Sequence, residues 1–204
     1  ADFDMEAAEK GCTYRALTEV AGALTNEGIE TEIVHIGNQA IHGCIGCGKC
    51  AAAGRCVFKG DPVNAFLDKM EHADGLVVGS PVYYASANGS LYSFLDRLFY
   101  AAGGRLAGKA AAAVVSCRRG GASAAFQQLN MFFGMNNMVV ATSQYWNQVH
   151  GAVPEDVEQD LEGLQTMRTL ARNMAWTLRC LEAGRRAGVE TPRPEPVTPT
   201  NFIR

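Results

Sequence analysis

Gly75-Leu76-Val77-Val78-Gly79-Ser80-Pro81-Val82-Tyr83-Tyr84-Ala85-Ser86-Ala87-Asn88-Gly89-Ser90-Leu91 decides the fold. Its first five residues form an apolar run continuous enough to predict a strand buried on both faces. Pro81 stiffens the turn that follows, and Ser90 to Ala101 predicts a helix. The alternation repeats outward. Lys109 to Ser116 predicts another apolar strand, Ala122 to Phe133 a helix, and Met138 to Ala141 a further strand. On the N-terminal side, Leu17, Val20, Ala21 and Leu24 recur at helical spacing and stop at Asn26-Glu27-Gly28. Glu30-Thr31-Glu32-Ile33-Val34-His35-Ile36 alternates like a strand. Asp61-Pro62 starts a helix with Val63, Phe66, Leu67 and Met70 on one face. The last helix is predicted over Pro154 to Ala183, with Val157, Leu161, Leu164, Met174 and Leu178 near one face.

Short apolar strands alternating with helices imply an α/β protein, a doubly wound parallel sheet covered on both faces. Ligands of such sheets bind at the carboxyl ends of the strands. The loops before Thr13, after Ser80 and after Ser116 fall there. At 204 residues the chain reads as one domain over residues 1–187. A tail over residues 188–204 holds four prolines and no periodicity, which predicts an extended segment able to wrap a neighbouring subunit. The tail's apolar pair, Phe202 and Ile203, and Met174, Trp176 and Leu178 on the last helix point to a homodimer or homotetramer.

With 18 Lys+Arg against 21 Asp+Glu, the charge suggests no nucleic-acid partner. No apolar run is long enough to span a membrane. Ala1 to Lys10 are acidic and polar, without a signal-peptide pattern. Seven cysteines, an odd number with three at close spacing, argue against a secreted disulfide framework, so the expected location is cytoplasmic. His35, His42, His72 and His150 form no metal-type pair. His150 reads more simply as a surface residue than as one approaching a substrate.

Cys44, Cys47, Cys50 and Cys56 make a C-x2-C-x2-C-x5-C pattern. Four thiols in so short a loop can converge on one point, and thiolates are the usual ligands of iron–sulfur clusters and structural zinc. A cluster, a zinc site, a redox thiol pair and reduced structural cysteines are all compatible with the pattern.

The Ser80-Pro81-Val82-Tyr83 segment, with Phe94-Leu95-Asp96-Arg97 behind it, resembles the flavin loop of NADPH-dependent FMN reductases of the flavodoxin-like superfamily. The resemblance implies FMN at the strand ends. It places Pro81, Val82, Tyr83, Tyr84 and Asn88 in one flavin loop and Ser116, Arg118, Gly120 and Gly121 in a second, with Arg118 near charge on a reduced flavin. Cys117 reads as a packing residue. Gly11-Cys12-Thr13 matches the end of the family's phosphate loop, so Cys12 and Thr13 would meet the FMN phosphate. The family's first, central strand and its Gly-Ser-Pro are not evident in Ala1 to Lys10. The cysteine spacing resembles that of iron–sulfur flavoproteins, which implies a 4Fe–4S cluster next to FMN. The implied activity is FMN-dependent oxidation of NAD(P)H, with electrons passed to a quinone, a nitro or azo compound, or another acceptor. The rival is an electron carrier between redox proteins without its own NAD(P)H site. The flavin carries the chemistry, so no general acid or base is assigned.

Overall fold

The computed structural model describes residues 11–192, 195–196 and 198–200. Ala1 to Lys10 and the Phe202-Ile203 pair lie outside the described residues. Two parallel strands form the centre: β1 (Gly75–Tyr83) and β3 (Ala110–Cys117), in register from Gly75 opposite Ala110 to Pro81 opposite Ser116. A short β2 (Ser86–Ala87) returns antiparallel on the end of β1. The far edge of β3 is covered in two pieces, β4 (Val139–Val140) at its start and β5 (Gln148–His150) at its end, both parallel.

Every residue of β3 is buried, and its side chains alternate between two cores. Ala111, Ala113 and Val115 join Leu76 and Val78 beneath three helices: α3 (Val63–His72), α4 (Gly89–Ala102) and α5 (Ala122–Met135). Ala110, Ala112 and Val114 face α1 (Cys12–Asn26) and α7 (Leu161–Arg186). This is the expected α/β sheet covered on both faces. On the α1 side, β1 carries glycine where helices press on it. A Cβ on Gly79 would stand 2.7 Å from Leu17 Cδ1, and one on Gly75 would stand 2.6 Å from Met174 Cε. Met174, placed from sequence both on the helix's apolar face and among residues for a subunit contact, is core. Trp176, two residues on, is exposed.

Between β4 and β5 the chain leaves the sheet, and one side chain takes its place. Asn147, 1% exposed, donates from Nδ2 to the Ala113 carbonyl at 3.0 Å, and its Oδ1 accepts from Ser143 Oγ at 2.7 Å. Its own carbonyl accepts the Val115 N–H at 3.0 Å. Removing the amide strands a buried carbonyl of the central strand. Asn147→Ala is expected to lower stability by about 1–3 kcal/mol, read as a lower urea midpoint at unchanged slope.

Two expectations need correction. Residues 29–36 form no strand. Beyond the hairpin pairs at Val82 and Tyr83, the edge of β1 away from β3 carries no strand among the described residues, so the alternating segment has no ladder to join. The last helix is also two: α6 (Pro154–Val157) and α7, separated at Asp160. Asp160 caps α7 by accepting the Gly163 N–H at 2.9 Å and also accepts the His150 N–H at 2.7 Å, which ties the start of α7 to the end of β5.

Two carboxylates should make stability depend on pH in opposite directions. Burial pushes the Glu19 carboxyl up, but the guanidiniums of Arg168 (2.5 Å) and Arg15 (2.9 Å) outweigh it and hold the group below its ordinary value. Its contribution is present above the usual carboxylate range and is lost as pH falls through the lowered value. Burial alone pushes Asp96 up, so its contribution is present in acid and lost as pH rises through the raised value. Glu19→Gln should therefore melt below the parent at neutral pH and Asp96→Asn above it. Thermal melts at a series of pH values should show both gaps closing in acid.

Candidate functional site at the carboxyl edge of the sheet

Parallel register brings the ends of β1, β3 and β5 to one edge, with Pro81 beside Ser116 and Cys117 beside His150. The N-terminus of α1 stands over that edge. Thr13 Oγ1 lies 2.7 Å from Ser116 Oγ, and the Cys12 thiol donates to the Gly151 carbonyl at 3.5 Å. Gly11 is the N-cap of α1 and offers no side-chain acceptor, so the first amides are not capped by a side chain. Burial pushes the Cys12 thiol up, helped by Asp156 and Glu155 and opposed by a backbone hydrogen bond; it stays a neutral donor.

The Ser-Pro-Val-Tyr segment continues β1 into a hairpin. Val82 pairs with Ala87 and Tyr83 with Ser86, leaving Tyr84 and Ala85 as a two-residue turn at φ of 50° and 60°. Such a turn needs positive φ at both positions and favours Asn-Gly. Tyr and Ala there hold strain on the order of 1–3 kcal/mol each. The Tyr84 side chain is fully exposed and that of Tyr83 more than half exposed. Asn88 has a structural role beside the one expected. Its Oδ1 accepts the Ser90 and Leu91 N–H groups at 2.9 and 3.3 Å, capping α4, while its own N–H donates to Ser80 Oγ at 2.9 Å.

The loop after β3 supports the hairpin. Gly121, at φ of 88°, packs against Ala85 and Val82. Arg118, Arg119 and Gly120 are exposed around it. Cys117 is buried and its thiol pushed up by burial, against backbone N–H groups of Arg119 and Ala122, which fits a packing residue. His150 is exposed, with Nδ1 3.6 Å from Asp160 Oδ2. The structure thus gathers Cys12, Thr13, Pro81, Val82, Ser116 and Gly121 at one edge.

The cysteine loop lies on the flank of α4. Cys44 and Cys47 are exposed; Cys50, which opens the one-turn α2 (Cys50–Ala53), and Cys56 are half-buried against the larger core. All four are free thiols. Among the described residues no three His, Cys, Asp or Glu side chains are grouped to hold one metal ion. A zinc ion would need its thiolates at about 2.3 Å; a cluster is a larger body and holds its ligands further apart. Four unpaired thiols on a loop whose Gly46, Gly48 and Gly54 take positive φ are a donor set suited to a cluster.

Sequence reasoning did not reveal how the loop is held. Arg97, 1% exposed, donates from Nε to Cys56 Sγ at 3.1 Å, from Nη1 to the His42 carbonyl at 3.2 Å, and from both terminal nitrogens to Asp61 at 2.5 and 3.1 Å. Burial alone would favour its neutral form; hydrogen bonds to Asp61 and Cys56 outweigh that and keep it charged. Asn64 accepts the Cys56 N–H at 2.9 Å and donates to the Cys56 and Phe58 carbonyls.

A family model described as NADPH-dependent FMN reductase matches residues 6–152. The chain belongs to that family. An iron–sulfur flavoprotein of Methanocaldococcus jannaschii is 33% identical over 183 residues, 85% of this chain and 93% of the relative. An iron–sulfur flavoprotein of Methanosarcina thermophila is 28% identical over 162 residues, 78% and 83% of the two chains. RosB, solved with 8-demethyl-8-formylriboflavin-5'-phosphate, shares the fold at a TM-score of 0.66 and 18% identity, covering 95% of this chain and 86% of its own. A flavodoxin, a WrbA-like protein of Agrobacterium tumefaciens, does so at 0.59 and 14%, covering 82% and 90%. The flavodoxin-like fold and an iron–sulfur-flavoprotein-like place in the FMN reductase family are thereby shown. No helix among the described residues is long and apolar enough to cross a membrane.

Proposed function

We propose that this FMN reductase family member binds FMN at the carboxyl edge of its sheet and passes electrons from NAD(P)H to an acceptor. The observation that carries this reading is the convergence of three loops on one edge, fixed by the Thr13–Ser116 contact at 2.7 Å and by the hairpin seated on Gly121. The amides of α1 left without a side-chain cap suit the phosphate. The exposed ring of Tyr83 or Tyr84 offers a surface for the flavin, and exposed Arg118 a charge for its polar edge. Bound flavin supplies the hydride and electron chemistry, while these residues bind, orient and exclude water. The acceptor is a small molecule such as a quinone or nitro compound, or a redox protein.

The four thiols are read as ligands of a 4Fe–4S cluster, supported by the donor set and by the names of the relatives. This favours a second reading, an electron carrier lacking its own NAD(P)H site. Anaerobic mixing with NADPH or NADH separates them. Flavin bleaching within seconds supports the reductase; bleaching by dithionite alone supports the carrier; a purified chain that binds no FMN removes both.

The unit is proposed to be a homodimer or homotetramer. Trp176 is 67% exposed on α7, and Val139 and Val140 of the edge strand β4 are 38% exposed. An exposed edge strand can pair with its own copy about a two-fold axis. Sedimentation should show an oligomer that Trp176→Asp shifts towards monomer. A monomeric parent would rule the oligomer out.

A further inference from the structure

We propose that Arg97 is a positioning residue for the cysteine loop: its guanidinium staples the two ends of that loop and aims the Cys56 sulfur as a cluster ligand. This rests on the reading of the four thiols as ligands of an iron–sulfur cluster.

A buried guanidinium has donors that must be satisfied, and where they go defines its role. Two terminal nitrogens meet Asp61 in a bidentate pair. The remaining contacts go to the cysteine segment alone. Nη1 reaches the carbonyl of His42, which precedes the first cysteine by two residues, and Nε reaches the sulfur of the last. The segment from His42 to Cys56 is thus closed on one side chain. Phe58, stacked on the His42 ring at 4.5 Å, lies under the guanidinium, its centroid 4.9 Å from Cζ. Asn64 fixes the Cys56 backbone through both its N–H and its carbonyl. The Cys56 thiol therefore keeps one free rotation, and the Nε contact selects its direction.

A simple counter-ion for Asp61 would not need to face a sulfur. Hydrogen bonds to ligating sulfurs orient them and tune the cluster they hold. Cys44 and Cys47 are exposed and Cys50 and Cys56 half-buried; of these, Cys56 is the one whose sulfur the Arg97 contact fixes. The same helix links this loop to the strand edge. α4 is capped by Asn88, directly after the hairpin, and reaches Arg97 about two and a half turns beyond that cap.

The test uses the full chain, reconstituted anaerobically with ferrous iron and sulfide, unaltered and as Arg97→Lys. Lysine keeps a positive charge beside Asp61 but cannot meet Asp61, His42 and Cys56 together. Expected are a changed paramagnetic resonance spectrum of the dithionite-reduced protein and loss of iron to a chelator about 10-fold faster or more. A second measurement needs no iron. In isotope-labelled iron-free protein, the Arg97 Nε–H resonance should move on Cys56→Ala and stay on Cys44→Ala. An Arg97→Lys protein with the parent's spectrum and iron retention overturns the proposal. So does an Nε–H resonance indifferent to Cys56→Ala, even if Arg97→Lys fails to fold. An unaltered chain that takes up no iron overturns the cluster reading itself, and the role with it; the resonance then shows whether the contact exists apart from any cluster.

Discussion

Arg97→Met will destabilise the iron-free protein by about 3–5 kcal/mol, the usual loss when one partner of a buried ion pair is removed. Arg97 is 1% exposed and the Asp61 side chain 13% exposed, so the carboxylate left behind has little access to water. It also keeps the Val63 N–H at 3.2 Å, which holds it at the start of α3. Asp61→Asn should cost less on its own, because the amide oxygen can still accept from the guanidinium. The double variant, Asp61→Asn with Arg97→Met, should lose less than the sum of the two, since no charge remains buried. Urea unfolding of all four proteins gives the coupling directly. Additive losses would show that Asp61 and Arg97 act independently.

What the sequence reveals here follows from how local the determinants are. β3 is legible because Ala110 to Val115 is apolar throughout, and a strand buried on both faces leaves that mark. β5 is not, because Gln148-Val149-His150 offers one apolar residue and is placed by its pairing with β3. Glu30 to Ile36 shows the opposite failure: alternation specifies a strand with two unlike faces but does not say whether a neighbour is there to pair with it. The break at Asp160 is hidden because Glu158 and Gln159 are good helix formers, while the His150 N–H that Asp160 also serves comes from a distant part of the chain.

The candidate site divides in the same way. Loop ends on one sheet edge can be read from the order of strands and helices, because parallel strands all finish on one side. Roles of single side chains within those loops cannot. Asn88 looks like a ligand residue in a flavin loop, and its Oδ1 caps α4. Arg97, named from sequence only as part of the helix behind the flavin loop, is the most buried charge among the described residues, and its partner lies 36 residues earlier in the chain. Met174 lies near Trp176 in sequence, but one faces Gly75 and the other faces out. The Arg97 and Met174 placements depend on contacts across the fold, which composition and period do not encode; the Asn88 cap is local, to Ser90 and Leu91.

Gly121→Ala will damage both the fold and the proposed flavin site. At φ of 88° a Cβ is strained by about 1–3 kcal/mol whatever surrounds it. Here it is also blocked, since that Cβ would stand 2.8 Å from Ala85 Cα, 3.1 Å from Ala85 Cβ and 3.2 Å from Val82 Cγ1. A backbone atom cannot rotate aside, so the hairpin must lift, and overpacking of this kind adds roughly 1–3 kcal/mol. Lifting the hairpin moves Tyr83 and Tyr84 away from Ser116 and the α1 N-terminus, so FMN binding should weaken at least about tenfold, equivalent to 1.4 kcal/mol. Gly120→Ala is the control. No atom lies within 4 Å of a Cβ there, and its φ is outside the positive region, so its melting should stay near the parent's. Fluorescence titration with FMN and thermal melts of the three proteins decide the matter. Equal affinities for parent and Gly121→Ala would detach the hairpin from the flavin site, even if the melting temperature fell.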